Sequence, residues 1–436
     1  MSNNRVKLRF YFCPDTMTRL IYSITLILLA PLIAFYLYQI RGKKNLGYRA
    51  HFGERFGAID PRLPKEAIII HCASVGEVLA AAPLIKKVRE QHPNDSIIVT
   101  CNTPTGRDEI TKQFKDSVHV CYLPIDFGFA VHRFIKTLKP KLLLVLETEL
   151  WPNLFYYANK HHCPVAVVNA RLSEKSYRGY QKVASLTRLI MSNITVLASH
   201  NEEDAHRFVE LGLSSQRVST TGSIKFDVTL DAHDMQQMHD LSAQLGLRPI
   251  WIAGSTHPGE HEQIIAVHKK LLEKIPTALL IIAPRHPEQF SPVADLLSDA
   301  GLCFSRRSGP YNPNSQVLLA DTLGELKFLY GCAQISFIGG SLIERGGHNP
   351  LESAASSVGV LSGPSTYNFS HIYPQLIAQQ GAQICADQSE LLAQVSKYLH
   401  DPKATKLLGA QAHACLALNQ GAISRTLNII DSLLEQ

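Results

Sequence analysis

The chain has 436 residues, 45% of them hydrophobic, nine cysteines and a formal net charge of +6. That length and apolar content suit two domains of ordinary size, each with its own core. Residues 1–57 hold nine basic and two acidic residues, leaving −1 for the rest, a distribution that argues against a nucleic-acid-binding face and for an N-terminus near a membrane. The odd, singly scattered cysteines form no C-x-x-C pair and the histidines no H-E-x-x-H. This pattern fits a reducing compartment, with no legible metal site.

No charged residue falls between Leu20 and Ile40, and a bilayer core needs about 20 apolar residues to cross. Residues 1–19 read as a basic tail and 20–40 as a retained single-pass anchor, a deeply embedded monotopic helix being the alternative. Arg41, Lys43, Lys44 and Arg49 come directly after it. By the positive-inside rule they place the large C-terminal part of the chain in the cytoplasm.

Short apolar runs then recur with helical segments between them. Residues 67–71, 96–100, 118–123, 141–146, 165–169 and 194–198 read as buried strands, a βαβ series that implies a parallel sheet covered on both faces. A second series begins at Pro249, with strands at 250–253, 278–283, 316–319, 335–338 and 359–361. The polar stretch between Gly222 and Pro249 sets the expected boundary, giving an α/β protein with domains at 41–228 and 229–436. In such folds ligands bind beyond the carboxyl ends of the strands.

The motifs sit at those ends. Glu77, in His71-Cys72-Ala73-Ser74-Val75-Gly76-Glu77, suits a general base on an acceptor hydroxyl, or simply complements a helix dipole. Glu147 and Glu149, in Glu147-Thr148-Glu149-Leu150-Trp151, need solvent or basic partners beside an apolar strand. Arg171 and Lys225 are the candidates, in a site or in an ordinary salt bridge. In the second series, Gly254-Ser255-Thr256 has the form of a phosphate-binding turn. Arg285, after Pro284, offers a planar fork to an anion, and Gly324, between Leu323 and Glu325, allows close approach of a ribose or base. The stretch Gly339-Gly340-Ser341-Leu342-Ile343-Glu344-Arg345-Gly346-Gly347-His348-Asn349-Pro350-Leu351-Glu352 is expected to offer backbone amides and a helix N-terminus to a phosphate, with Asn349 as N-cap, Pro350 at N1 and Glu352 on a ribose. The plainer alternative is a capped helix whose Glu352 serves its own first turn.

Taken in order, these residues resemble the 3-deoxy-D-manno-octulosonic acid (Kdo) transferases of lipid A assembly. The likeness runs from near Met17 through Gly53–Gly57, Ser74–Glu77, Glu147–Asn153, Asn169–Ser173, Lys225–Asp227, Gly254–Glu262, Ala283–Pro287 and Gly324–Glu325 to Gly339–Glu352. The resemblance implies a GT-B fold, two Rossmann-like domains facing a cleft behind a membrane-anchor helix. It also implies an inverting enzyme that moves Kdo from CMP-β-Kdo to the lipid A precursor at the bacterial inner membrane. On that basis Glu77 is the base, and Glu147 or Glu149 with Lys225 supports the transition state. Pro284, Arg285, Leu323, Gly324, Glu325, Asn349, Pro350, Leu351 and Glu352 hold CMP. No metal or other cofactor is expected, and the partners are the donor, the acceptor and membrane lipid. Residues 1–16 extend beyond the usual start of the family, and Ser353 stands where proline is expected. A UDP-sugar GT-B enzyme and an inert membrane-anchored binding protein are the competing readings.

Overall fold

A computed structural model describes residues 14–435, with side chains from Met17 onward; Arg5, Lys7, Arg9 and Cys13 of the basic tail lie outside the described residues. The first element is a helix, Pro14–Phe35, continued by a π-helical turn at Tyr36–Arg41 and a short helix at Gly42–Lys44. The stretch Met17–Lys44 is long and apolar enough to cross a membrane.

The chain divides into two compact units, one of residues up to Ile224 together with 421 onward, the other Lys225–Gln420. The first holds a seven-stranded parallel sheet: β1 (Ile68–His71), β2 (Ile97–Cys101), β3 (His119–Tyr122), β4 (Leu142–Leu146), β5 (Val165–Ala170), β6 (Val196–Ser199) and β7 (Val218–Thr220). Their spatial order is β3-β2-β1-β4-β5-β6-β7. Successive side chains point to opposite faces of a strand, so Ile68, Ile70, Leu142 and Leu144 join one buried cluster while Ile69, Leu143 and Val145 join another. Two covered faces explain why these strands read as unbroken apolar runs rather than alternating ones.

The second unit repeats the plan with β8 (Ile250–Thr256), β9 (Leu279–Pro284), β10 (Phe304–Arg306), β11 (Val317–Leu319), β12 (Ile335–Ile338), β13 (Gly359–Ser362) and β14 (Ala382–Ile384), ordered β10-β11-β9-β8-β12-β13-β14. Ile250 and Ile252 face one cluster, Trp251 and Ala253 the other. Each sheet reverses its strand order beside its first strand, between β1 and β4 in the first and between β8 and β12 in the second, and the second sheet also exchanges β10 and β11 at one edge. At a reversal the loops of adjacent strands depart to opposite faces and leave a crevice, the standard ligand position of open α/β sheets.

All eleven expected strands are present. The three the sequence did not reveal, β7, β10 and β14, are three-residue edge strands. An edge strand needs no long apolar run, and β7 carries only the partly buried Val218 and the exposed Ser219 and Thr220.

The expected division at residue 228 is corrected in two respects. Lys225 and Phe226 already belong to the second unit, and the chain returns to the first at Gly421. The last helix, Ala422–Leu434, buries Ala422, Ile423, Leu427, Ile430 and Leu433 in the first unit's core, against the helix Val75–Gln91.

Ile430→Ala removes a fully buried side chain and is expected to destabilise the first unit by about 2–5 kcal/mol. Native-state hydrogen exchange checks it: protection falls in β1, β2 and the helix Val75–Gln91. Protection lost equally from β8 and β12 would contradict the assignment of this helix to the first unit.

Candidate active site

Both crevices are occupied by residues the sequence singled out. In the first unit, β1 ends at His71 and the chain turns through Ser74 into the helix Val75–Gln91. Glu77 folds back on that turn: one carboxylate oxygen accepts from Ala73 N at 2.8 Å, the other from Ser74 Oγ at 3.0 Å, and Ser74 Oγ accepts from Glu77 N at 3.4 Å. This is a reciprocal cap at the helix start, so the structural role is real. It does not neutralise the carboxyl electrostatically. Burial, with Glu147 and Glu149 adding repulsion, pushes Glu77 up to about 7 despite the lowering effect of the Ala73 and Ser74 hydrogen bonds.

Those two acids follow β4, the neighbour of β1 across the reversal. Glu147 takes a left-handed backbone conformation with φ of 57°, which costs a non-glycine residue on the order of 1–2 kcal/mol. Its amide is held by Val168 O at 2.9 Å. Glu149 accepts from Trp151 Nε1 at 3.0 Å, yet burial and Glu147 still raise its pKa. At the end of β5, Asn169 is also left-handed (φ 54°), buried, and accepts from Ile224 N at 3.1 Å. Its buried Nδ2 has no partner among the described residues. Asn169 had no role of its own in the sequence reading. Arg171 is tied in through its carbonyl, which accepts from Thr148 Oγ1. Lys225 falls in the second compact unit, its ammonium 5.8 Å from the centre of the Phe369 ring.

In the second unit the strand ends of β8 and β12 approach so closely that a Cβ on Gly339 would stand 2.4 Å from Ser255 O. The glycine is therefore required by contact. Beyond it the structure corrects an expectation. The amides of Gly340, Ser341 and Leu342 do not stand open to a ligand; the buried carboxylate of Glu260 takes all three, at 2.8, 3.1 and 3.0 Å. Three successive N–H groups converging on one anion form a nest, filled here from within the protein. Burial raises the pKa of Glu260 and the amides pull it back.

Gly347 N donates to Gly340 O at 2.9 Å and His348 N to Gly339 O at 3.2 Å, so the glycine loop closes on itself and delivers Asn349–Glu352 beside the strand ends. The following helix, Leu351–Ala355, has five residues and starts one residue later than expected, with Pro350 at the cap position. So short a helix gathers little dipole. The cap hydrogen bond is still Asn349's: its Oδ1 accepts from Leu351 N at 3.1 Å and its Nδ2 donates to Glu352 Oε1 at 3.4 Å. Burial raises the pKa of Glu352, opposed by Asn349, Arg285 and Lys327.

Arg285 follows Pro284 at the end of β9; its amide donates to Thr256 O at 3.0 Å and its side chain is exposed. Its charge reaches Glu352, His257 and His348. The Nε2 atoms of His257 and His348 lie 2.7 Å apart, so one donates and the other accepts. Burial is the main cause pushing them down, to about 4 and about 3 respectively. At neutral pH this pair is uncharged. Leu323 is exposed, Gly324 has a φ of 84°, and Glu325 accepts from Thr322 Oγ1 at 2.7 Å while pairing with Arg307 at 3.0 Å.

A family model described as 3-deoxy-D-manno-octulosonic-acid transferase (kdotransferase) matches residues 50–228. The chain is 39% identical over 428 residues to a 3-deoxy-D-manno-octulosonic acid transferase of Haemophilus influenzae, covering 96% of this chain and 100% of that protein. This chain belongs to the Kdo transferase family. A Kdo transferase of Bordetella pertussis is 32% identical over 433 residues, again covering 96% of this chain and 100% of the relative. Among solved structures, a glycosyltransferase from Rickettsia africae superposes with a TM-score of 0.54 over 86% of this chain and all of its own at 11% identity, which supports the GT-B fold class. Membership makes this protein a glycosyltransferase.

For a Kdo transferase with this loop, Glu260 is the residue that fixes the strand-end geometry. Glu260→Gln replaces two acceptor oxygens by one and leaves at least one buried amide unmatched, at about 1–3 kcal/mol each. Residues 340–352 are then expected to lose hydrogen-exchange protection and the protein to melt earlier. An unchanged exchange pattern would refute the clamp.

Proposed function

We propose that the protein transfers Kdo from CMP-β-Kdo to the lipid A precursor, tetraacyl-disaccharide 1,4'-bisphosphate, with inversion and with Glu77 as general base. The observation that carries this is the carboxyl of Glu77 at the strand-order reversal, poised near pKa 7 by burial and by Glu147 and Glu149. A base titrating near the working pH combines a sizeable ionised fraction with real proton affinity. Its carboxylate takes the proton of the acceptor 6'-hydroxyl as that oxygen bonds to the anomeric carbon, while the bond to the CMP phosphate breaks and its electron pair leaves with CMP.

Negative charge builds on the departing phosphate, and groups that meet it there lower the barrier. Arg285 is the exposed cation nearest in kind, set beside Asn349 and Glu352. In this reading Pro284, Leu323–Glu325 and Asn349–Glu352 surround CMP, Glu352 meeting the ribose. Glu147 or Glu149 and Lys225 support the transition state. The uncharged His257–His348 pair accepts and donates hydrogen bonds without adding charge. Transfer proceeds without a divalent ion, and the acceptor is met at the cytoplasmic face of the bacterial inner membrane.

The test is mass spectrometry of the tetraacyl precursor after incubation with CMP-Kdo, generated in situ, and purified protein in detergent with EDTA. A gain of one or more Kdo masses is expected, and Glu77→Ala should reduce the rate by about 10²–10⁴, the usual worth of a positioned base. No gain with folded protein would overturn the reading and direct a screen of UDP-sugars.

The same residue gives a pH prediction. Folding raises Glu77 from 4.5 to about 7, so the folded state favours the protonated form and loses stability as pH climbs from about 4.5 through 7. Glu77→Gln is therefore expected to melt no lower than the parent at pH 8 while remaining inactive. In the parent, kcat/KM should rise between pH 6 and 8, and Glu147→Gln should move that rise to lower pH.

A further inference from the structure

The N-terminal helix is held by the first unit at both of its ends. Near its start, Tyr22 donates to the buried carboxylate of Asp126 at 3.0 Å, and Arg19 and Ser23 donate to Oδ1 of the buried Asn153 at 3.2 and 3.1 Å. The Arg19 guanidinium lies 3.7 Å over the Tyr156 ring. Asp126 also accepts from the amides of Asn153 and Leu154 at 2.9 and 2.7 Å, so this anchor point is part of the folded unit. Near the helix's end, Arg49 Nε donates to Tyr38 O at 3.1 Å, and the Tyr38 ring meets Phe52 edge-on at 5.3 Å. The buried Tyr48 accepts from Arg41 at 2.5 Å, and Tyr122, the last residue of β3, donates to Gly47 O at 3.4 Å.

Between these ends one stripe of the helix is covered throughout. Arg19, Tyr22, Leu26, Ala30, Ile33 and Leu37 are each partly buried, at spacings of three and four that define one helical face. The helices Pro152–Lys160 and Ala184–Ser192 lie against it. The opposite face is bare and apolar: Ile21 is 59% exposed, Leu28 73%, Leu32 66% and Phe35 58%.

A helix that crossed the bilayer would carry Arg19 and Tyr38 to opposite sides of a hydrocarbon core about 30 Å thick, since 19 residues rise about 29 Å. Asp126, Asn153, Tyr48 and Tyr122 belong to one water-adapted α/β unit and cannot stand on both sides. We infer that the helix lies flat along the first unit, and that its bare face is a monotopic surface seated in one leaflet of a phospholipid bilayer. Of the two expectations from the sequence, this takes the embedded monotopic helix rather than the single-pass anchor. The occupant follows from the chemistry: a continuous apolar strip for the acyl boundary, Tyr38 and the neighbouring aromatics at interface level, and Arg41, Lys43 and Lys44 for anionic headgroups.

The test uses the full chain in its membrane, with Cys13 and Cys303 changed to serine, since Cys303 is exposed. Met17→Cys and Asn45→Cys variants are treated with a membrane-impermeant maleimide in spheroplasts and in inverted vesicles. Both positions are expected to react in inverted vesicles and neither in spheroplasts. Reaction of the two from opposite sides overturns the proposal, as does reaction of both from the outer side. A second measurement needs no labelling from solution: nitroxides at Ile21→Cys, Leu28→Cys and Phe35→Cys, reconstituted in vesicles, report depth. A flat helix gives three depths within a few ångström, whereas a spanning one places Leu28 about 10 Å deeper than the others, by the helical rise of seven residues. Neither readout depends on sugar transfer, so failure here leaves the proposed reaction standing, and the reverse.

Discussion

A parallel sheet that grows outward from its first strand in both directions must reverse somewhere, and at the reversal no connecting helix covers the strand ends. Both units obey that constraint, and nearly every feature of the candidate site follows from it. The β1–β4 reversal receives Glu77 and Glu147; the β8–β12 reversal receives Ser255, the glycine loop and Asn349–Glu352. The chemistry-bearing residues are scattered in sequence because neighbours across a reversal are separated by the intervening strands and helices.

The two units handle a buried carboxyl differently, and the difference separates scaffold from chemistry. Glu260 meets three amides of a single loop. It fixes that loop and is saturated by doing so. Glu77 meets one amide and one hydroxyl and faces two further acids. Less compensation leaves its proton affinity high, the property that the proposed role of Glu77 as base requires. The left-handed backbone of Glu147 is a second local cost accepted at the same place. Such costs persist only where the surrounding sheet over-determines them.

Much of this was legible in the sequence, for identifiable reasons. Fully buried parallel strands write themselves as apolar runs, so β1 or β4 could hardly be missed, and acids or glycines after such runs marked the strand ends. Strand order was not written anywhere, so which strand ends would be neighbours was open. The sequence offered Lys225 as a candidate partner of Glu147 and Glu149, and the fold adds that it belongs to the second unit. The glycine loop looked like an anion site and is one, but the anion is Glu260, some 80 residues away in the chain, and no local pattern names a partner at that distance. The helix at Leu351 was foreseen with its cap but not its shortness, because Ser356 and Ser357 look no worse for a helix than Ser353 does.

The return of the last helix to the first unit carries a consequence for how the protein comes into being. Residues 225–420 are contiguous, whereas the first unit needs Ile68–His71 and Ala422–Leu434 together. On the ribosome, where N-terminal domains usually finish first, the order is inverted here. The second unit has all its residues before the first can close its core, and the apolar face of the helix Val75–Gln91 waits, uncovered, for the final residues of the chain.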